Sequence, residues 1–168
     1  IRDQILAASG SLNTTMHGPG VRPRIHPDVI ATSTTRKWPT VIRETSEHWR
    51  RSIYVFMRRS MRVPFFETFD VPDAMQSRGV REQTTVVTQA LMLLNNPFVL
   101  RMAGRMAERV IKQAGDDVDR QVTIAWQLAI QRDPGPRERR LSTDLVTRHG
   151  LPSLCRGLFN VNEFVIIE

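Results

Sequence analysis

Two apolar segments meet at the tripeptide Asn95-Asn96-Pro97, and this junction constrains the fold more than any other feature of the chain. Apolar residues recur at three- and four-residue spacing on both sides of it, which is the period of an α-helix. An Asn side chain accepts the unpaired N–H groups of a first helical turn, and proline suits the first helical position. The sequence therefore predicts two packed helices at the centre of the core. Their predicted apolar faces are Val86, Val87, Ala90, Leu91 and Leu94 before the junction and Val99, Met102, Ala103, Met106 and Val110 after it.

Glycine, proline and capping aspartates divide most of the remaining chain into further helices. These boundaries lie at Gly10, Asp116-Asp117, Asp133-Pro134-Gly135-Pro136, Gly150 and Pro152. Residues 137–149 form a charged helix in this interpretation, with Leu141, Leu145 and Val146 facing inward. The predicted fold is all-α: a single-domain irregular helical bundle over residues 1–168, with a long Pro/Gly-containing N-terminal connection.

The segment from residue 11 to residue 40 does not fit a helical pattern. Its prolines and glycines forbid long helices and favour turns and extended backbone. A connection of this length is either functional or laid over a neighbouring surface. We therefore expect residues 11–40 to form an extended, Pro-rich segment that packs on the core or on a domain upstream of this chain.

Aromatic residues concentrate in the next two stretches. Residues 44–61 place Trp49, Ile53 and Phe56 on a helical stripe, and we favour a helix here. The apolar run in the middle of this stretch is short enough to be compatible with a strand as well. Residues 64–73, with three phenylalanines, are predicted to form an aromatic-rich loop pinned to the core.

Composition restricts the class of protein. Hydrophobic residues make up 40% of the chain and charged residues 24%, which is typical of a globular domain. No apolar run approaches the ~18 residues needed to cross a bilayer, so we expect the chain not to be membrane-embedded. The chain begins with Ile1 and not with Met, and we expect it to be a fragment of a longer protein.

The residue types that carry catalysis or metal binding lack the spacing those functions need. The four histidines are scattered without an H-E-x-x-H pattern, and the lone Cys155 rules out a disulfide framework and a C-x-x-C-H haem attachment. We predict that Cys155 is a buried structural thiol. The acidic residues are explained by turns and helix caps, because acid–base pairs need environments that split their pKa values. We therefore predict no catalytic residue, metal site or cofactor within this fragment.

Arginine supplies most of the positive charge. The chain has 24 Lys and Arg against 17 Asp and Glu, and a net charge of +7 permits binding to nucleic acid or acidic partners. Arg50-Arg51 and Arg58-Arg59 bracket an aromatic segment, and this arrangement fits phosphate or RNA binding. We favour a second interpretation, in which these arginines pair with acidic residues to pin the aromatic loop. The acidic residues in question are Glu67, Asp70 and Asp73.

A second group of arginines recurs at every fourth residue after the central junction. Arg101, Arg105 and Arg109 form a line along one predicted helix, opposite its apolar stripe. We interpret this line as a solvated charged face.

Several stretches together resemble a known family. They are IRDQILAASGSLN (1–13), Arg50-Arg51-Ser52-Ile53-Tyr54, Phe69-Asp70 with Pro72-Asp73, Arg81 followed by TTVVTQALMLLNNPFV (84–99), and LCRGLFNVNEF (154–164). They resemble the C-terminal domain of large planctomycete proteins that is catalogued as a domain of unknown function, DUF1553 or PSD1. The resemblance implies a helical C-terminal module of an exported periplasmic or cell-envelope protein. It also implies that a cytochrome-c-like haem domain can lie upstream, outside this fragment. It supplies no activity and no catalytic residue.

Three functional hypotheses follow. The candidate ligand or interdomain contacts are Arg50, Arg51, Tyr54, Arg81, Thr85, Gln89 and Asn95. In the first hypothesis the chain is a non-catalytic structural or interaction module that packs on upstream domains of the same polypeptide through residues 11–40 and 50–73. Polar motif residues then act as hydrogen-bonding fasteners between the core helices, namely Arg81, Thr84, Thr85, Gln89, Asn95 and Asn96. In the second, Arg81, Gln89 and Asn95 line a ligand or substrate surface, for an anionic carbohydrate, in a multidomain and haem-containing enzyme. The third, nucleic-acid binding through an arginine-rich face, ranks last because the resemblance indicates an extracytoplasmic protein.

Overall fold

The computed structural model describes residues 1–25, 27–31, 38–39, 43–58, 63–69 and 87–166. The α-helices of this part of the chain are α1 (Arg2–Ala8), α2 (Pro27–Ala31), α3 (Pro64–Thr68), α4 (Val87–Asn95), α5 (Pro97–Ala114), α6 (Val118–Ile130), α7 (Pro136–His149), α8 (Leu151–Leu158) and α9 (Asn162–Val165). Two 3-10 helices cover Ser46–Trp49 and Ser52–Tyr54. The predicted all-α fold is confirmed. No helix of the described residues has the length and apolar character needed to cross a membrane.

The chain divides into two compact units. The first unit comprises Ile1–Leu12 and Leu93–Glu168, and the second unit comprises Asn13–Met92. The first unit is therefore built from both ends of the chain. That residues 1–168 form one domain stays a prediction.

The junction between α4 and α5 has the predicted geometry. Asn96 has an extended backbone, with φ −66° and ψ 127°, and its side chain accepts the N–H of Phe98 at 2.8 Å. Pro97 is the first residue of α5, where its missing N–H costs nothing. The apolar stripe predicted for α5 is buried, from Val99 through to Val110.

The apolar face predicted for α4 is wrong. Val87 and Leu91 are 77% and 52% exposed, whereas Gln89 and Leu93 are buried. Gln89 donates a hydrogen bond from Nε2 to the backbone oxygen of Thr68, at the end of α3. This contact turns the Gln89 side of the helix inward. Periodicity identified the helix but not its buried face, which a tertiary hydrogen bond determines.

Four helices form the core of the first unit. Helix α5 packs against α6 and α8, and α7 packs against both of these. The fully buried side chains at this centre include Met106, Val122, Cys155 and Phe159. The ring of Phe159 lies 5.1 Å from that of Phe164, which attaches α9 to the same core. Leu141 of α7 is exposed, so its predicted inward orientation is wrong.

The line of arginines on α5 is only in part the solvated face that we predicted, since Arg105 is exposed but Arg101 and Arg109 are half-buried. Arg109 donates from Nη1 to the backbone oxygens of Ala7 and Ala8, at 3.0 and 2.9 Å, and so satisfies carbonyl groups at the end of α1. Arg105 contacts the hydroxyl of Ser11 at 3.4 Å. Gly10 follows α1 with φ +69°, and a Cβ there would lie 3.2 Å from Cδ of Arg109. These arginines therefore fasten α1 to α5.

The helix predicted over residues 44–61 is also wrong within its described part. Residues 46–54 contain the two 3-10 helices, separated by extended backbone at Arg50. Val21 donates its N–H to the oxygen of Tyr54 and accepts the N–H of Phe56, both at 2.8 Å. Isolated parallel bridges join Val21 to Val55 and Asn13 to Arg50. The backbone groups that a helix would pair internally are thus paired with residues 13–21. Ile53, expected on a buried stripe, is 82% exposed.

The predicted aromatic loop begins as the short helix α3. Phe65, Phe66 and Phe69 are all buried, and the rings of Phe65 and Phe69 lie 5.0 Å apart. Pro64 occupies the first helical turn, and this explains why the segment starts as a helix. Asp70 and Asp73, the expected partners of the arginines, lie outside the described residues.

Candidate functional site

Arg50 is a predicted site residue that is buried and extensively hydrogen-bonded. It is 2% exposed, and its guanidinium donates four hydrogen bonds to backbone oxygens. Nε and Nη2 donate to Thr15 at 3.2 and 3.1 Å, Nη1 donates to Pro19 at 3.3 Å, and Nη2 also donates to His17. A guanidinium has five N–H donors. Four of them therefore serve one loop of the protein itself.

Tyr54 contacts both Arg50 and this loop. The guanidinium carbon of Arg50 lies 4.1 Å from the centre of the Tyr54 ring, a cation–π contact. The Tyr54 hydroxyl accepts the N–H of His17 at 3.1 Å. His17 and Gly18 both have positive φ, of 64° and 84°. A non-glycine residue in this region of backbone space needs outside support, and the bonds to His17 supply it.

Gln89 makes a contact of the same kind at a different place in the second unit. Its Nε2 atom lies 3.0 Å from the oxygen of Thr68. That oxygen belongs to the last turn of α3, where carbonyl groups lack partners within the helix. The buried amide of Gln89 thus joins α3 to α4.

Two other predicted site residues are exposed, whereas Arg50 and Gln89 are buried. Arg51 is exposed and precedes the second 3-10 helix. Asn95 is exposed at the end of α4. Arg81 and Thr85 lie outside the described residues. Of the seven predicted residues, the structure brings Arg50 and Tyr54 into direct contact.

A charged cluster that the sequence analysis missed lies in the first unit. Arg132 makes paired hydrogen bonds of 2.8 Å to both carboxylate oxygens of Glu138, and of 2.8 and 2.9 Å to those of Glu163. Its guanidinium also lies 4.9 Å from the centre of the Trp126 ring. Glu138 in addition accepts the N–H of Gly135 at 2.7 Å, ahead of α7. The glutamate two residues after Pro136 is a capping signal that the sequence contains, but nothing in the pattern links it to Glu163.

The electrostatics of this cluster follow from its geometry. The hydrogen bonds from Arg132 and then from Gly135 lower the pKa of Glu138 from 4.5 to about 2. The bonds from Arg132 also lower the pKa of Glu163, and the two glutamates raise the pKa of Arg132. All three side chains are partly exposed, and the cluster joins α9 to the start of α7.

Cys155 lies in the interior of the first unit, as the sequence predicted. Cys155 is buried in α8, and burial raises the pKa of its thiol to about 12. A thiol with such a pKa is a poor nucleophile at neutral pH. No three His, Cys, Asp or Glu side chains among the described residues are grouped to hold a metal ion.

Comparison with known proteins identifies the family. The sequence profile of PSD1, a protein of unknown function (DUF1553), matches residues 1–146. The chain therefore belongs to this family, and the resemblance noted in the sequence is confirmed over those residues. The LCRGLFNVNEF stretch at 154–164 lies beyond the matched range. No curated protein and no solved structure matches the chain.

Proposed function

We propose that the chain is a non-catalytic structural or interaction module at the C-terminus of a larger cell-envelope protein. The observation that carries this proposal is the bonding of Arg50. Its four hydrogen bonds to the loop at residues 15–19 make it a fastener of the protein's own backbone. A residue that binds an anionic ligand needs donors directed at solvent or at a cleft, and Arg50 has one donor beyond these four.

Gln89 supports the same proposal. Its amide is buried and bonded to the end of α3, where it stabilises the packing of two helices. In the alternative hypothesis, Gln89 lines a surface for an anionic carbohydrate, together with Arg81 and Asn95, in a multidomain, haem-containing enzyme. The internal bond of Gln89 favours the structural role over that alternative. We also propose that the partners of this module are upstream domains of the same polypeptide.

The substitution Gln89→Leu tests the role of this residue, with Gln113→Leu as the matched control. Gln113 is exposed on α5, so its replacement removes the same amide without removing a buried bond. Loss of the Gln89 bond leaves the Thr68 oxygen unpaired, and we expect a loss of about 1–2 kcal/mol of unfolding free energy. Thermal unfolding followed by circular dichroism measures the change. The control should unfold within about 0.5 kcal/mol of the original chain.

A binding assay on the same variants separates the two hypotheses. Polygalacturonate serves as the anionic carbohydrate and is titrated against the original chain and both variants. The structural role predicts that Gln89→Leu lowers stability and leaves the affinity of the folded protein unchanged. A variant that keeps its melting temperature but loses polygalacturonate binding contradicts the proposal and supports a pocket.

A further inference from the structure

The excess of positive charge lies mainly in the second unit. Residues 13–92 contain twelve Lys and Arg against seven Asp and Glu, so they carry five of the seven net positive charges. The remaining residues carry twelve against ten. An uneven distribution of this kind concentrates a positive potential over one part of the protein.

Within the second unit, two neighbouring segments present arginine beside an exposed aromatic ring. The parallel bridge between Val21 and Val55 holds the segments side by side. The next residue in each segment makes a second contact, because the guanidinium carbon of Arg22 lies 4.7 Å from the centre of the Phe56 ring. Phe56 is 40% exposed. Arg22 is thus held over a ring at the protein surface.

Two further arginines extend this surface along the same two segments. Arg24 follows Arg22 by two residues and is exposed, and Arg58 follows Phe56 by two residues and is half-buried. Successive side chains of an extended segment point to opposite sides, so residues two apart share a side. Arg22, Arg24 and Arg58 form no ion pair with an acidic side chain in the described ranges. Within the described residues no neighbouring carboxylate neutralises their charges, in contrast to that of Arg132.

We propose that the surface made by Arg22, Arg24, Phe56 and Arg58 binds an acidic polysaccharide, a polymer whose sugar rings bear carboxylate or sulfate groups. The planar fork of a guanidinium matches these groups through two parallel hydrogen bonds. Stacking on Phe56 fixes the orientation of the Arg22 guanidinium, which lowers the entropy lost on binding. This surface is separate from Arg50 and Gln89, so the inference goes beyond the proposed structural role and does not depend on it.

The aromatic ring favours a sugar over a nucleobase. Single-stranded nucleic acid binds by stacking bases on open aromatic faces. One face of Phe56 lies under Arg22, and the buried ring of Trp38 lies 6.4 Å from it at an angle of 43°. What remains exposed is a partial apolar surface of the Phe56 ring. The C–H groups of a sugar ring can pack on such a surface, whereas a base would lack a full stacking partner.

The experiment compares two double variants of the 168-residue chain. Arg22→Gln with Arg58→Gln removes two charges from the proposed surface. The matched control, Arg137→Gln with Arg140→Gln, removes two exposed charges from α7. Affinity electrophoresis and calorimetry measure binding to polygalacturonate and to dextran sulfate, with neutral dextran and oligothymidylate as comparison ligands. Thermal unfolding checks that each variant is folded, and Arg24→Gln alone, at an exposed position, serves as a milder second variant.

We expect the first double variant to bind polygalacturonate or dextran sulfate at least about tenfold more weakly, because it loses two charge-assisted contacts to the polymer. The control should change the affinity by about twofold or less, because exposed charges away from the site contribute little. Arg24→Gln should weaken binding without changing the melting temperature. Equal losses of affinity in the two double variants would overturn the proposal, as would undiminished binding of the acidic polysaccharides by the first one. The proposal would also be overturned if the original chain bound neutral dextran as tightly as the acidic polysaccharides, or oligothymidylate more tightly. Failure here leaves the structural role of Arg50 and Gln89 intact, because none of these variants alters their bonds.

Discussion

Replacing Arg50 with glutamine removes the side chain that holds the loop at residues 15–19. The four hydrogen bonds to backbone oxygens are lost, together with the cation–π contact to Tyr54. Glutamine keeps a polar end group but has neither the reach nor the fork of a guanidinium. His17 then loses one of the bonds that support its positive φ.

The size of the effect follows from the exposure of the loop. A hydrogen bond from a charged donor contributes about 1.5–3 kcal/mol when its acceptor cannot find another partner. Thr15, His17 and Pro19 are exposed, so water can reach their oxygens once Arg50 is gone. We therefore take about 0.5 kcal/mol for each of the four bonds and about 1 kcal/mol for the ring contact, or about 3 kcal/mol in total. For a chain of this size that corresponds to a fall of about 6–12 °C in melting temperature.

Thermal and urea unfolding of Arg50→Gln and Arg51→Gln provide the comparison. The two variants lose the same charge at adjacent positions, but Arg51 is exposed. We expect Arg51→Gln to change the unfolding free energy by less than about 0.5 kcal/mol. Arg50→Lys keeps the charge and should still lose most of the stability, because an ammonium cannot bond all three residues of the loop at once. Equal stability of the Arg50 and Arg51 variants would refute the view of Arg50 as a fastener.

Three further predictions concern the first unit. Arg109→Met keeps the apolar stem but leaves the end of α1 without its two carbonyl contacts, so urea unfolding should show a loss of about 1 kcal/mol, and an unchanged midpoint would contradict this. The pKa of Glu138 in the folded state is about 2, below the ordinary value of 4.5. The ionised carboxylate therefore stabilises the fold above pH 4.5, and this contribution to the unfolding free energy should be lost as the pH falls from 4.5 towards 2. Arg132→Gln should make that acid-induced loss smaller, and the same pH profile in both proteins would count against the cluster with Glu163. Cys155 should react with a thiol reagent at neutral pH only after denaturation, because its pKa is raised to about 12 and it is buried; fast labelling of the native protein would show otherwise.

Local signals were sufficient to predict helices α5 to α8 of the first unit. Helix α5 has an unbroken apolar period, a capping Asn96 and Pro97 in its first turn, and these act within a few residues of each other. Asp117 caps α6 by accepting the N–H of Arg120, as the sequence indicated. Prediction succeeded where the capping residue and the helix that it caps lie within a few residues of each other in the sequence.

Prediction failed where the partner is distant in the sequence. The backbone of residues 50–56 bonds to residues 13–21, and no local pattern reveals this pairing. The buried face of α4 is set by the bond from Gln89 to Thr68, so counting apolar residues selected the wrong side. Arg50 and Gln89 were among the predicted contact residues, but their bonding partners are backbone oxygens, which have no sequence signature.

The central claim is that this family member is a structural or interaction module for the polypeptide to which it belongs. The most direct test is to add the upstream region of that polypeptide, as a separate protein, to the 168-residue chain and to record the melting temperature. Binding to the folded state raises the melting temperature by an amount that depends on the concentration and the dissociation constant. The proposed function predicts a rise that grows with the concentration of the upstream region. An unchanged melting temperature in the presence of about 100 μM upstream region would contradict it. At that concentration, a domain interface with a dissociation constant below ~1 μM should add about 2.7 kcal/mol or more to the unfolding free energy.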